Sequence, residues 1–229
     1  MVSGRQLSRL WHAVLFAVVA AAFVAQLVLV LRGGTDVNAT TGQPPEGTGT
    51  RVVNLFSFFT IQSNLLVLAA AATLAANPTA DGRWWRILRL DGLLGITITG
   101  LVYTTVLAGD RPLDGLEVWL NAAFHYFCPL WTVVGWLLFG PRPRVTWRVV
   151  GWSFVWPAAW IGYTLVRGAA TDWYPYPFLD ATDLGYAVAL RNVAGVLVLA
   201  LAVAALVRYL DGRLAGVDDR GLASVNDHG

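Results

Sequence analysis

The chain contains no lysine and a single cysteine in 229 residues, and only 13% of it is charged. One thiol, Cys128, excludes a disulfide scaffold. So little charge excludes a nucleic-acid module, and together with a high apolar content it excludes disorder. Short catalytic signatures are missing as well: there is no HExxH, GxSxG, Walker A or GxGxxG. All 16 basic residues are arginine, which with abundant Ala, Gly and Val looks like codon bias in a GC-rich bacterial genome and carries no chemical message.

What the chain does have is apolar sequence. Apolar residues make up 56% of it, against about 45–50% in ordinary globular proteins, and the mean hydropathy is +0.58. Apolar stretches cover residues 10–31, 52–76, 92–108, 117–139, 149–166 and 185–207. Each approaches the roughly 20 residues that cross a bilayer as a helix. The breaks between them are short and rich in Gly and Pro, and a lipid-facing segment must satisfy its own backbone. The fold class predicted is an all-α integral membrane bundle of six transmembrane helices. It divides into an N-terminal tail (1–9), the six-helix domain (10–210) and a polar, disordered tail (211–229).

Eleven arginines lie on one side of this arrangement: Arg5 and Arg9, then Arg83, Arg86 and Arg89, then Arg142, Arg144 and Arg148, then Arg208, Arg213 and Arg220. Four lie on the other, Arg32, Arg51, Arg111 and Arg167. The positive-inside rule then puts both termini in the cytoplasm of a multi-pass protein of the bacterial cytoplasmic membrane.

Polar residues inside a membrane face the bundle interior or a cavity. At about 100° per residue, Asn54, Ser57, Thr60, Ser63 and Asn64 share one half of span two. Asn121, His125, Cys128, Thr132 and Gly135 form one narrow seam on span four. Arg191 and Asn192 sit inside span six. Spans two, four and six run in the same direction, so Thr60, His125 and Arg191 each lie roughly 9–12 Å below the outer boundary. Each also has a plainer reading: a Thr bonded to its own helix, a structural His, an Arg paired with Asp180 or Asp183. Cys128 reads as a small buried apolar residue. Pro157 predicts a kink in span five.

A hydroxyl and an imidazole at one depth suit ester cleavage, because a Thr hydroxyl is a weak nucleophile until a neighbouring base takes its proton. Asn64, Asn121 and Arg191 are the candidates to hold the oxyanion. Trp173, Tyr176 and Phe178, stiffened by Pro175 and Pro177, either fold over the site and narrow its entry or form a plain aromatic belt at the outer interface. One His and one Cys do not make a zinc site, and His12 and His125 lie near opposite faces, so no metal and no cofactor is expected. The expected partner is a membrane lipid or an acyl ester, with no nucleic acid.

Three segments carry a family resemblance. Phe58-Phe59-Thr60-Ile61-Gln62-Ser63-Asn64-Leu65-Leu66, Asn121-Ala122-Ala123-Phe124-His125-Tyr126 and Tyr174-Pro175-Tyr176-Pro177-Phe178-Leu179-Asp180 resemble the second helix, fourth helix and last loop of the bacterial Pr6Pr family. That family is similar to the eukaryotic FAR-17a/AIG1-like (androgen-induced protein) family. Its members hydrolyse fatty acid esters of hydroxy fatty acids with an intramembrane Thr and His. The resemblance implies a Thr60 nucleophile and a His125 base. Two other classes remain open: a lipid-binding or scaffold protein without activity, and a small transporter. Polar groups thin out below Asn64 and Thr132, which counts against a path through the membrane.

Overall fold

The first helix begins before its apolar run does. The Ser3 hydroxyl accepts from the Gln6 N–H at 3.2 Å, and the Ser3 N–H donates to the Gln6 side chain at 2.9 Å. This reciprocal cap starts α1 (Gly4–Leu31), so most of the expected N-terminal tail is helix. The computed structural model describes residues 3–39, 47–109 and 112–214. Most of the expected polar tail, from position 215 onward, lies outside the described residues, as do Arg111 and Arg220.

The chain is an all-α bundle, with no strand among the described residues. Six helical segments are long and apolar enough to cross a membrane: 4–31, 59–76, 83–107, 116–139, 147–171 and 186–211. The third starts nine residues earlier than its apolar run, because Arg83, Arg86, Arg89 and Asp91 all belong to the helix.

Span two is not one helix. It divides into α2 (Thr48–Ser57) and α3 (Phe59–Ala76) at Phe58, whose ψ of 128° is extended. Side chains take up carbonyls around this break. Trp160 Nε1 donates to the Ser57 carbonyl at 2.9 Å, and Gln62 Nε2 donates to the Phe56 carbonyl at 2.9 Å. In lipid such groups must find partners within the protein.

Two further breaks follow from proline, which has no N–H for the carbonyl four residues back. Pro157 leaves the Ser153 carbonyl without its usual donor, and span five divides there into α7 (Trp147–Ser153) and α8 (Val155–Thr171). Pro129 does the same to His125. Here span four stays continuous but widens: α5 (Leu116–Asn121) passes into a π-helical turn, Ala122–Phe127, before α6 (Cys128–Phe139). A second π-helical turn, Tyr103–Leu107, ends α4 (Arg83–Val102).

Helix α3 packs chiefly on α1 and α4. Small residues allow the close approach to α4: a Cβ on Gly92 would meet the Leu66–Val67 backbone at 3.3 Å, and one on Gly95 would meet Ser63 Oγ at 2.8 Å. The chain closes with α9 (Ala181–Leu184) and α10 (Tyr186–Asp211).

One end of the bundle is locked by polar contacts. Trp11 and Trp131 stack with ring centres 4.0 Å apart, and each indole N–H donates to the other's carbonyl at 3.1 Å. Arg142 donates to the last carbonyls of α6, at Trp136 and Leu137. Asp211 accepts from the N–H groups of Arg144 and Val145, and Asp81 pairs with both Arg86 and Arg144. The opposite end holds the α2–α3 break, both π-helical turns and the 172–185 loop.

Candidate functional site

Thr60 is the second residue of α3, so the Phe58 break leaves its N–H among the free donors of a helix N-terminus. That N–H donates to the Tyr176 hydroxyl at 3.1 Å, and the same phenol oxygen lies 3.2 Å from Thr60 Oγ1. Tyr176 comes from the loop before α10 and is only 7% exposed. Its ring stacks on Phe178 and sits edge-on to Phe58. Burial pushes the Tyr176 phenol up to about 12, against the opposing pull of its bonds to Thr60. The phenol is therefore neutral and able to donate. The Asn192 side chain, one residue beyond Arg191, donates to the Phe178 carbonyl at 2.9 Å and holds the loop down.

Thr60, Tyr176 and Phe178 line one cavity with about 880 Å³ of empty space, part of it open to the surroundings. Its walls are mostly apolar and aromatic. Trp156 is stacked on Phe59 with ring centres 4.6 Å apart and is oriented by an N–H donated to Gln62 Oε1 at 2.9 Å. Tyr103 also forms part of the wall.

His125 lies beside the cavity rather than on its wall. It is 3% exposed and stacks on Tyr103 with ring centres 3.9 Å apart, so the tyrosine connects it to the cavity. It is level with the start of α3: Thr99 donates to Ser63 Oγ at 3.5 Å, and a Cβ on the next residue, Gly100, would come within 3.6 Å of the His125 carbonyl. No hydrogen bond joins Thr60 to His125 in this geometry, since the Thr60 hydroxyl is engaged with Tyr176.

The remaining candidates fall elsewhere. Asn64 donates to the Thr60 carbonyl in its own helix at 2.8 Å and does not line the cavity. Asn121 lies one turn before His125, also off the wall, with its side-chain oxygen buried and unpartnered. Arg191 is exposed on α10, and among the described residues it belongs neither to the cavity nor to an ion pair. Depth had put it level with the site, but its helix face points away. Asp180 instead accepts from the N–H groups of Thr182 and Asp183 and caps α9. Trp173 packs edge-on against Phe58 under the Arg167 guanidinium, beside the cavity rather than at its mouth. Cys128 is fully buried away from the cavity.

Several wall residues escaped the sequence reading, Tyr103 and Asp91 among them. Tyr103 offered no signal beyond an aromatic near a helix end. Asp91 fell between the break that ends at Arg89 and the apolar run that begins at 92. No family model, characterised protein or solved structure matches this chain.

Proposed function

We propose that this protein is an intramembrane hydrolase of lipid acyl esters, with Thr60 as nucleophile and His125 as base, in a membrane that leaves both termini cytoplasmic. The observation that carries the reading is the Thr60 hydroxyl: it stands at a helix N-terminus on the wall of a mostly apolar cavity within a membrane-sized bundle. The phenol oxygen of Tyr176 marks a position that the Thr60 N–H can reach. An ester carbonyl oxygen at that position would receive the same N–H at a helix N-terminus, where negative charge is favoured. The neutral Tyr176 hydroxyl is a second donor for it.

With the phenol displaced from Thr60 Oγ, the hydroxyl attacks the acyl carbon and its proton passes to His125. The ester C–O bond then breaks, and the alcohol leaves with that proton. Water attacks the acyl-Thr60 ester, His125 takes the water's proton, and the acid departs as the proton returns to Thr60. The reaction requires His125 to approach Thr60 past Tyr103. The π-helical turns that carry Tyr103 and His125 are the segments available to move.

The test is turnover of p-nitrophenyl decanoate by purified protein. Thr60→Ala and His125→Ala should each lower it by at least about 10³-fold and should not add when combined. Thr60→Ser should retain part of it. Full activity in Thr60→Ala would end the proposal. A second reading, a lipid-binding protein without chemistry, draws on one observation: the Thr60 hydroxyl is bonded to Tyr176 and not to His125. It would stand if the protein bound acyl chains but neither substitution changed turnover.

A further inference from the structure

The same cavity has a second polar end. Asp91 lines it from α4, is 8% exposed, and has a side-chain oxygen, Oδ1, buried with no hydrogen-bond partner. Ser153, also on the wall, lies against the Asp91 carboxyl with its hydroxyl hydrogen directed to the Val149 carbonyl at 3.0 Å, so Oδ1 stays without a donor. Among the described residues, no Arg or His lines the cavity. Arg89 lies two residues away on the same helix, on a different face, and directs its Nη2 to the Gly140 carbonyl. A buried carboxyl oxygen without a donor loses its hydration and gains nothing in return, so such groups are rare unless something binds to them.

The register gives the span between the two polar ends. Gly95 faces Ser63 across the α3–α4 contact. Thr60 lies three residues along α3 toward one end of the bundle, and Asp91 lies four residues along α4 toward the other. At 1.5 Å per residue they are separated along the bundle by about 10 Å. Leu94, Phe154, Trp156, Leu197 and Ala200 provide the apolar wall.

We propose that Asp91 binds the hydrogen-bond-donating terminus, a hydroxyl or an ammonium, of a long-chain ligand whose other polar group lies at Thr60. The ligand is thus polar at both ends and apolar between them. This rests on the cavity taking a lipid chain, as in the proposed function, but not on Thr60 cleaving it.

The test is calorimetric titration of the protein in phosphatidylcholine nanodiscs with decanol, decane-α,ω-diol and ω-aminodecanol, empty nanodiscs serving as blank. The wild-type protein should bind the diol and the amino alcohol about tenfold more tightly than decanol. Asp91→Leu should bind decanol as before and lose the preference. Asp91→Asn keeps an acceptor oxygen but no charge. It should keep the preference for the diol if a hydroxyl is the natural terminus, and should lose the preference for the amino alcohol in either case. The ratios are read from binding alone, so loss of the hydrolase reading would leave this result standing. A wild-type protein without the preference, or an Asp91→Asn protein with wild-type ratios for all three ligands, would overturn the proposal. So would an Asp91→Leu protein that folds and keeps the preference.

Discussion

At the end of the bundle that carries Asp81 and Asp211, side chains tie helices to one another's backbone. At the end that carries Thr60, the helices themselves are interrupted. The first end has the reciprocal Trp11–Trp131 contact, the Arg142 cap on α6 and the Asp211 clamp on the start of the 144–145 segment. The second has the Phe58 break and the π-helical turns at Tyr103–Leu107 and Ala122–Phe127. Interruptions in lipid require compensation by side chains, and here Trp160, Gln62 and Tyr176 supply it. The contrast teaches that the interhelical locks and the helix interruptions are kept apart: one end holds the bundle closed while the other carries the free backbone donors and curved segments around the proposed site.

The sharpest way to break this contrast is at Pro129. Pro129→Ala restores a donor for the His125 carbonyl while keeping the Cβ that packs near Gly100. The π-helical turn should relax toward α-helix and turn His125 away from Tyr103. Ester turnover should fall about a hundredfold, as misplacement by an ångström does. The melting temperature should be unchanged or higher, because a helix-interior proline is lost. A drop in both together would mean that the turn is structural.

At the closed end the sign reverses. A Cβ on Gly135 would lie 2.5 Å from Trp11 Nε1. Gly135→Val should therefore disrupt the Trp11–Trp131 lock and destabilise the protein by about 1–3 kcal/mol. In the fraction that remains folded, kcat should be little changed. Thermal unfolding in detergent together with turnover per folded molecule checks both parts.

The smallest effect concerns Asp81. The hydrogen bond from the Arg86 guanidinium, helped by the charge of Arg144, holds its carboxyl well below the usual range. A depressed carboxylate stabilises the fold above its unfolded value of about 3.9, and the contribution is lost as the pH falls through the folded value. The pair is partly exposed, so only a few tenths of a kcal/mol are at stake. Asp81→Asn should melt slightly below wild type at neutral pH, and the difference should close in strong acid.

Much of this architecture was legible in the sequence. Apolar runs located six spans, and 117–139 differs from the helical segment 116–139 by one residue. Depth along parallel helices put Thr60 and His125 at one level, where the Ser63–Thr99 and Gly100–His125 neighbours also put them. Helix faces were harder to read. Arg191 was read from depth alone and lies exposed off the cavity, since depth depends on counting residues but direction depends on which neighbours pack against the helix. The Phe58 break had no local sign, as Phe is an ordinary helix residue. Its extended conformation goes with rings that arrive from far along the chain, Trp173 and Tyr176. The π-helical turn at His125 did have a sign, the proline four residues later. Pro157 was read as a kink and Pro129 was not, although the same missing N–H acts in both.

The central claim is that Thr60 is the reactive group of the cavity. The most direct measurement is to treat the protein in nanodiscs with a long-chain fluorophosphonate and locate the adduct by peptide mass spectrometry. The account predicts a single phosphonylated residue, Thr60, with labelling lost in His125→Ala and blocked by prior incubation with an acyl ester. A hydrolytically active protein that carried the adduct on any other residue, or that labelled as fast after Thr60→Ala as before, would contradict it.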